Sequence, residues 1–485
     1  KPEMTEQQTL AILRTSGPLN RRGEITNPRL PNDAWRMRNP VGVVLDPRST
    51  TLKANHFRMN PSRIPSRISP YHIHIRRYDR TGALSSEETS QTEDSRVNVT
   101  LMNLLLSRHP EWPNGFTYDS RSTVFTTSPL PFSDVNADGQ ACYVENVDIP
   151  NGDGTQSHRR YQITITSTTS CVSTGQWHLN QDPALMRALD LSSLECARRQ
   201  LPLDQPQWYL NGNIGYNTSE IPVELAARIV AMKGYSVGFK NCLAGLVLVS
   251  DMCSTVFLVG GPIVNVIAEM CGSRDVNAWV AEVKARGMNP GHISRINETL
   301  KGAKLKLTHL GYPKKFKMLG PAANHRGSCF ELEGRQVTVA EYYQQMCQSS
   351  PTYRRYLPNG MLRFPHLPTI NVGSVKKPVL IPMELINVYN GQNFSHRCTG
   401  EMTANLIRHA AVKPEERFHH ILDTMSSNDG LLGTIRSDPT AMAFGVSDFE
   451  LRPMSVAGRL LPPPKLQYQG QQVDPKLSGS WNSPS

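Results

Sequence analysis

The sequence predicts an α+β chain of several domains, and three observations predict it. At 485 residues the chain exceeds what a single core organises, and its length fits roughly three domains. Segments such as YQITIT, GYSVGF and KLKLTHL alternate apolar and polar residues at the two-residue period of half-buried strands. Between them lie a few stretches with helical spacing and helix-end punctuation.

Composition narrows the function. The formal charge is +11, from 52 Lys+Arg against 41 Asp+Glu, which favours a polyanionic partner: nucleic acid first, an anionic membrane surface second. A basic protein without such a partner fits the charge as well. Nine cysteines are scattered without CxxC spacing, so they read as reduced core thiols rather than a zinc knuckle or redox pair. Asn-x-Ser/Thr matches begin at Asn98, Asn217, Asn297 and Asn393. The start KPEMTEQQTLAIL, however, has neither the basic nor the apolar region of a signal peptide, and an intracellular compartment is expected. The most apolar stretch, CLAGLVLVSDMCSTVFLVGGPIVNVIAEM, is interrupted by Asp251 and by Gly260-Gly261-Pro262. It falls short of the about 18 apolar residues a membrane span needs, and reads as a buried strand followed by a helix start. The first residue is Lys1, so a piece of a longer protein is one expectation.

Residues 1–48, rich in Pro, Arg and Asn, read as an extended or disordered basic arm. A strand pair is expected at TLKANHFRM and YHIHIRRYD. His72 and His74 share a strand face at a spacing a metal site uses, but no third ligand is near in sequence, so they read as solvated or packed strand histidines. SEETSQTEDS is an acidic loop. TVFTTSPLPF and RRYQITITSTTSCV read as further strands. DPALMRALDLSSLECARRQ is helical, with Leu185, Leu189 and Leu194 on helical spacing. After the turn cluster NGNIGYNTSE comes a second β unit, KGYSVGFKNCLAGLVLVSD. Two helices follow. SRDVNAWVAEVKARG has Ser273 as N-cap, Val276, Trp279, Val280 and Val283 as its apolar stripe, and Gly287 past its end; the second helix runs from Gly291 to Leu300.

The chemistry concentrates downstream. From Lys301 to Phe330 there are six lysines, one arginine and no acid. KLKLTHL places Lys304 and Lys306 on one strand face and Leu305, Leu307 and His309 on the other. PKKFKML, read the same way, places Lys314, Phe316 and Met318 on one face and Lys315 and Lys317 on the opposite one. Either a nucleic-acid contact or a solvated basic edge strand that blocks edge-to-edge pairing accounts for these lysines. Phe330, Tyr342, Tyr343, Tyr353 and Tyr356 crowd nearby, interleaved with Arg354 and Arg355. Aromatic beside basic surface is the composition of a single-strand RNA pocket, and core packing accounts for part of it.

The stretch FPHLPTINVGSVKKPVLIPMELINVYNGQ closely resembles the end of the PAZ domain in eukaryotic Argonaute proteins, with its "hPxhxVG…hPhEhhxhxxGQ" pattern (h apolar). LKANHFRM with YHIHI resembles the opening strands of the Argonaute N domain, and YDSRSTVFTTSPLPF its "DGxxxLYTxxPLP" strand. KGYSVGFK…VLVSDMCSTVF is similar to the end of the first linker, and FGVSDFELRPMSVAGRLLPPPKLQY to the second, with its "VxGRhLxPPxLxY" signature. The resemblance implies a basic arm (1–48), an N domain (49–158), a first linker (159–252), a PAZ domain (253–392) and a second linker (393–485). It further implies that the PAZ domain is an OB-like β-barrel with an inserted helical or hairpin element. It implies an RNA-silencing role: anchoring the 3′ end of a small single-stranded guide RNA, with target RNA and silencing-complex proteins as further partners, and no membrane. The family's "RKYR" contacts fall on Lys314, Lys315, Phe316 and Lys317. The preceding histidine falls on His309, the following aromatic on Phe330, and the strand tyrosine on Tyr342. Phe316 stands where the family has a tyrosine, the spacing from His309 to Lys314 is one residue short, and Leu380 occupies the "YLP" tyrosine position. A further aromatic or histidine falls near Cys347, in an insertion whose Tyr353 and Tyr356 are the candidates to compensate. GSWNSPS ends the sequence where a linker toward MID is expected, and the metal-dependent PIWI nuclease would lie beyond. No catalytic residue, metal or cofactor is therefore assigned, and His419 and His420 read as ordinary helix residues. A cytoplasmic location is implied, with a nuclear pool as the alternative the arm leaves open. A truncated scaffold acting through protein contacts, or the front half of a catalytic slicer, are the rival readings.

Overall fold

The computed structural model describes residues 49–79, 82–84, 95–132, 135–136, 139–150, 156–168, 172–173, 183–199, 207–242, 245–310, 313–459, 465–468 and 471–474. The basic arm and most of the acidic loop lie outside them. Two units divide the chain, one of residues 1–54 and 454–485, the other of residues 55–453. In the first, the described elements include the hairpin Leu466–Tyr468 with Gln471–Val473.

Strands Arg67–Arg77, Gln156–Ser167 and Gln140–Pro150 lie side by side, with Thr123–Thr126 and Phe116–Tyr118 on the other flank. Alternation sets what each face holds: Tyr71, Ile73 and Ile75 pair with Ser167, Ile165 and Ile163. Tyr71, Ile73, Ile75, Ile163 and Ile165 bury against Leu101, Met102 and Leu105 of the helix Ser95–Arg108. TLKANHFRM and YHIHIRRYD are both strands, but not partners. His56–Arg58 pair with Val247–Val249, while His72 and His74 pair with Thr166 and Thr164. The reason is the link: a 3-10 turn at Pro61–Arg63, capped by the Asn60 side chain, replaces a tight hairpin turn. His72 is exposed and His74 half-buried; no cluster of three metal-ligating side chains forms among the described residues.

The helix Pro183–Ser193 buries Leu185 and Leu189 as its spacing predicts, and Leu194 just beyond it. The apolar stretch resolves into a long hairpin, Ile229–Cys242 with Gly245–Leu258, paired from Ile229↔Leu258 to Cys242↔Gly245. The helix Ile263–Met270 follows. Among the described residues no helix is long and apolar enough to cross a membrane. A tight junction joins hairpin and helix. Arg228, at φ 63°, binds Glu269 through two guanidinium nitrogens and donates to the Gly260 carbonyl at 3.0 Å. A Cβ on Gly260 would collide with the Val388 carbonyl.

The helix Val276–Arg286 ends at Gly287, φ 73°, as expected, but its N-cap is Asp275 rather than Ser273. The Asp275 carboxylate accepts from the Asn277 and Ala278 N–H groups, and the Ser273 hydroxyl donates to the Asp275 carbonyl; a carboxylate is the stronger acceptor at a helix N-terminus. Asn289 caps the next helix, Pro290–Leu300.

From Gly261 to Val388 the strands form three open ladders. One orders Gly261–Pro262, Ile386–Val388, Lys304–Leu307 and Pro313–Lys315; the second Met318–Ala322, Pro368–Asn371 and Leu380–Pro382; the third is the hairpin Phe330–Leu332 with Arg335–Val337. The ladders are open rather than closed into the expected barrel, because the chain changes sheet at Phe316-Lys317. They share one core, around Ile267, Ile296, Leu305, Phe316, Ile370 and Leu385. Helices Val339–Ser349 and Pro351–Tyr356 follow the third ladder in sequence. His419 and His420 lie on the helix Pro414–Ser426, each beside an i,i+4 carboxylate.

Candidate nucleic-acid interface

The basic segment folds in two steps. Lys304–Leu307 is a strand as its alternation demands, with Leu305 and Leu307 buried and Lys304 exposed. It pairs with Pro313–Lys315 in the register Lys304↔Lys315, Leu305↔Lys314, Lys306↔Pro313. Lys304, Lys306 and Lys315 therefore share the outer face, and two like charges sit directly opposite each other, a destabilising arrangement in an antiparallel ladder. Lys314 lies on the Leu305 side with its side chain exposed, and Lys317 is exposed too.

Phe316 corrects the sequence reading. The chain leaves the first ladder here: the Phe316 N–H donates to Ala303, its carbonyl accepts from Gly302, and the next N–H, Lys317, donates to Asn371 in the second ladder. The ring points inward and is 0% exposed, so it is a core residue and not a ligand contact. Phe316 shares the buried core with Leu305, while Lys314 on the Leu305 side of the ladder is exposed, so alternation no longer predicts burial where the polypeptide crosses between sheets.

His309 follows the strand in a turn and is buried with it. Its Nε2 lies 3.3 Å from the Tyr343 hydroxyl, and its Nδ1 is buried without a hydrogen bond. Burial pushes its pKa down to about 4, so the ring is neutral at pH 7 and carries no charge toward a phosphate.

The helix Val339–Ser349 positions the aromatics. Thr338 and Glu341 form a reciprocal capping box, which fixes the first turn and turns Val339, Tyr343 and Cys347 inward. Tyr343 is the centre of the site: its ring lies 5.7 Å from His309, 5.3 Å from Tyr342 and 5.7 Å from Tyr353. Tyr353 also reaches His309 at 5.3 Å, and Tyr342 meets Phe330 edge-on at 5.5 Å. Five rings from four elements thus form one chain, from buried His309 to Phe330, which is 38% exposed. Tyr356 is half-buried, with its hydroxyl buried and unpartnered. Leu380 is half-buried opposite Asn371 in the second ladder.

Tyr343 and the Lys304–Lys315 pair went unassigned in the sequence. Helical spacing from Val339 to Cys347 would have placed Tyr343 on a buried face; the lysine register is a long-range property no local pattern carries.

Two family models match the chain in order: the N-terminal domain of argonaute over residues 48–191 and the PAZ domain over residues 280–407. The second spans the basic strands and the aromatic chain, so the chain is of the class that joins an argonaute N-terminal domain to a PAZ domain. Relatives agree. Protein argonaute 1A of Oryza sativa subsp. japonica is 26% identical over 75% of this chain and 32% of its own length. Protein argonaute 5 of Arabidopsis thaliana is 24% identical over 89% of this chain and 40% of its own. The chain belongs to the Argonaute family, over its N-terminal portion, and spans well under half of either relative. The solved structure of Kluyveromyces polysporus Argonaute with a guide RNA aligns over 90% of this chain and 48% of its own, at 13% identity and TM-score 0.46; the assignment rests on the family models and the relatives.

Proposed function

We propose that this chain binds small guide RNA in RNA silencing, holding the guide's 3′ end against the aromatic chain that ends at Phe330 and Tyr342. The observation that carries the reading is the directly opposed Lys304–Lys315 pair, with no acid from Lys301 to Phe330 to offset it. Such a ladder is costly alone and favourable beside a phosphate backbone. Phe330 and Tyr342 are the rings with access to solvent that suit stacking. Lys314, Lys315 and Lys317 supply the phosphate contacts; His309 acts indirectly, by seating Tyr343. In this reading the N domain, first linker, PAZ domain and second linker run 49–158, 159–252, 253–392 and 393–485, with the strands Gln156–Ser167 and Gly245–Leu258 crossing the first two boundaries, and the PAZ ladders follow an open version of an OB-like arrangement. The chain itself is non-catalytic, and guide, complementary target and Mg²⁺ incubated with it leave the target intact. Cleavage at a single phosphodiester would overturn that part.

The test is binding of the whole chain to short single-stranded RNA carrying either a free 3′ hydroxyl or a bulky 3′ block. With three or four phosphates neutralised, log K falls against log salt with a slope of about −2 to −3, and the blocked end binds more weakly. Salt-independent affinity with no end preference overturns the reading. That result would favour the second one, a scaffold acting through protein contacts, which the burial of His309 and Phe316 recommends.

A further inference from the structure

The hairpin between Pro368–Asn371 and Leu380–Pro382 ends in an apex, residues 373–379, whose two lysines the proposed guide site leaves unused. Its base is rigid. The Asn371 side-chain oxygen accepts from the Gly373 and Val379 N–H groups at 2.9 and 3.1 Å, and the Val372 N–H donates to the Val379 carbonyl at 2.9 Å. A Cβ on Gly373 would collide with the Lys377 carbonyl, so the two limbs approach as closely as the backbone allows. Beyond that base the chain is open: Ser374, Val375, Lys376, Lys377, Pro378 and Val379 are all exposed, Val375 at 85%.

Two hydrogen bonds close the apex itself, both between Ser374 and Lys377. The Ser374 N–H donates to the Lys377 carbonyl at 3.1 Å, and the Ser374 hydroxyl oxygen accepts from the Lys377 N–H at 2.9 Å. Opening them uncovers no buried apolar side chain, so the turn belongs to the least stable end of the structure. An enzyme that needs an extended substrate obtains one here at small cost. Charge adds direction. From Pro365 to Met383 there is no acid, and Lys376 and Lys377 follow Ser374 at the second and third positions. A serine hydroxyl followed by exposed lysines suits the acidic substrate groove of a basophilic serine/threonine kinase, since charge pattern discriminates among kinase substrates. Across the same ladder the Lys317 N–H donates to the Asn371 carbonyl, and Met318 pairs with Asn371. The apex therefore springs from the ladder end that carries Lys317 of the guide site.

We infer that Ser374 is a phosphorylation site for that class of kinase and that its phosphate weakens RNA binding at the guide site; the second half rests on the guide-binding reading above. In the transfer the Ser374 hydroxyl oxygen attacks the γ-phosphorus of a nucleoside triphosphate. The bond from Oγ to phosphorus forms, the bond from that phosphorus to the β,γ-bridging oxygen breaks, the nucleoside diphosphate leaves, and the hydroxyl proton passes to the kinase's base. The product carries about −1.5 to −2 charges, enough to offset Lys376 and Lys377. Phosphate oxygens take over from the hydroxyl as acceptors for the Lys377 N–H, so the fold is kept while the apex loses its attraction for an RNA backbone.

The test incubates the full chain with ATP, Mg²⁺ and either a basophilic or an acidophilic serine/threonine kinase, and locates the phosphate by peptide mass mapping. The basophilic enzyme should label Ser374 and the acidophilic one should not. Ser374→Ala should lose the label and bind RNA as before. Single-stranded 3′-hydroxyl RNA should bind the phosphorylated chain about tenfold more weakly at about 0.1 M salt, a gap that closes toward about 1 M as the screening length shortens to about 3 Å. Lys376→Gln with Lys377→Gln should reproduce the weaker binding without any phosphate and slow the labelling of Ser374; thermal unfolding checks that each variant is folded. No label at Ser374, equal labelling by both kinases, or unchanged RNA affinity after phosphorylation overturns the inference. If the unmodified chain binds no RNA at all, it is the guide-binding reading that has failed. Elution from heparin then decides: phosphorylation that leaves the eluting salt concentration unchanged overturns the charge offset at the apex.

Discussion

The hairpin Ile229–Leu258 and the segment Pro313–Ala322 alternate in sequence in the same way and fold in opposite ways. In the hairpin, Tyr235, Val237 and Phe239 are buried and Lys240 is exposed, because one ladder runs unbroken from end to end. In the segment, the strand stops at Lys315, a new one begins at Met318, and the intervening Phe316 turns into the core. Alternation describes the output of a continuous ladder; where the chain changes partner it says nothing about which face a side chain takes. A lone aromatic among lysines can therefore be the plug between two sheets.

The strongest attack on that contrast is Phe316→Ala. A core role predicts a loss of about 3–5 kcal/mol in denaturant unfolding, similar to Phe239→Ala; a solvent-facing ring would cost only about 0.5 kcal/mol. Acid titration comes next. The unfolded His309 takes up a proton near its ordinary value of 6.5 and the folded one only near 4. Its contribution is thus complete above pH 6.5 and fades as the pH drops toward 4, by up to roughly 3 kcal/mol. His309→Phe should remove that part of the acid sensitivity, as read from unfolding midpoints across the range.

Smaller effects sharpen the comparison at the site. Tyr342→Ala should weaken 3′-hydroxyl RNA by about 1–3 kcal/mol in fluorescence anisotropy, and its loss should be non-additive with that of Lys314→Ala. Additive losses would place the two on separate ligand groups. Smallest is Lys304→Gln. By removing one of two opposed charges it should stabilise the free protein by about 0.2–1 kcal/mol and flatten the RNA salt slope by about 0.7. Destabilisation instead would mean that Lys304 has a compensating role in the fold.

Much of the fold was legible. Leu185 and Leu189 revealed the helix Pro183–Ser193, and Gly287 the end of the helix Val276–Arg286. Each is a short-range signal. What escaped was set at a distance. His56 pairs with Val249 across nearly the whole first half of the chain, and Lys304 meets Lys315 through a register invisible to composition. His309 was legible as a buried-face residue, but its neutrality comes from its surroundings. The pocket aromatics were legible as a crowd and not as a chain centred on Tyr343, since only the fold brings the turn at His309 to that helix.

The Arg228–Glu269 clamp bears on how this protein could be recombined. Phe257 and Leu258 at the end of the long hairpin also pair with Asn393 and Gln392, and Gly260 tolerates no side chain against Val388. A graft that moved only the stretch from the helix Ile263–Met270 through Asn393 into another scaffold would leave Glu269 without its arginine and the Gln392 strand without a mate. The smallest transferable cassette therefore begins upstream of Arg228 and carries the hairpin with it. Relatives that exchanged this region should have inherited Arg228, Gly260 and Glu269 together or lost all three.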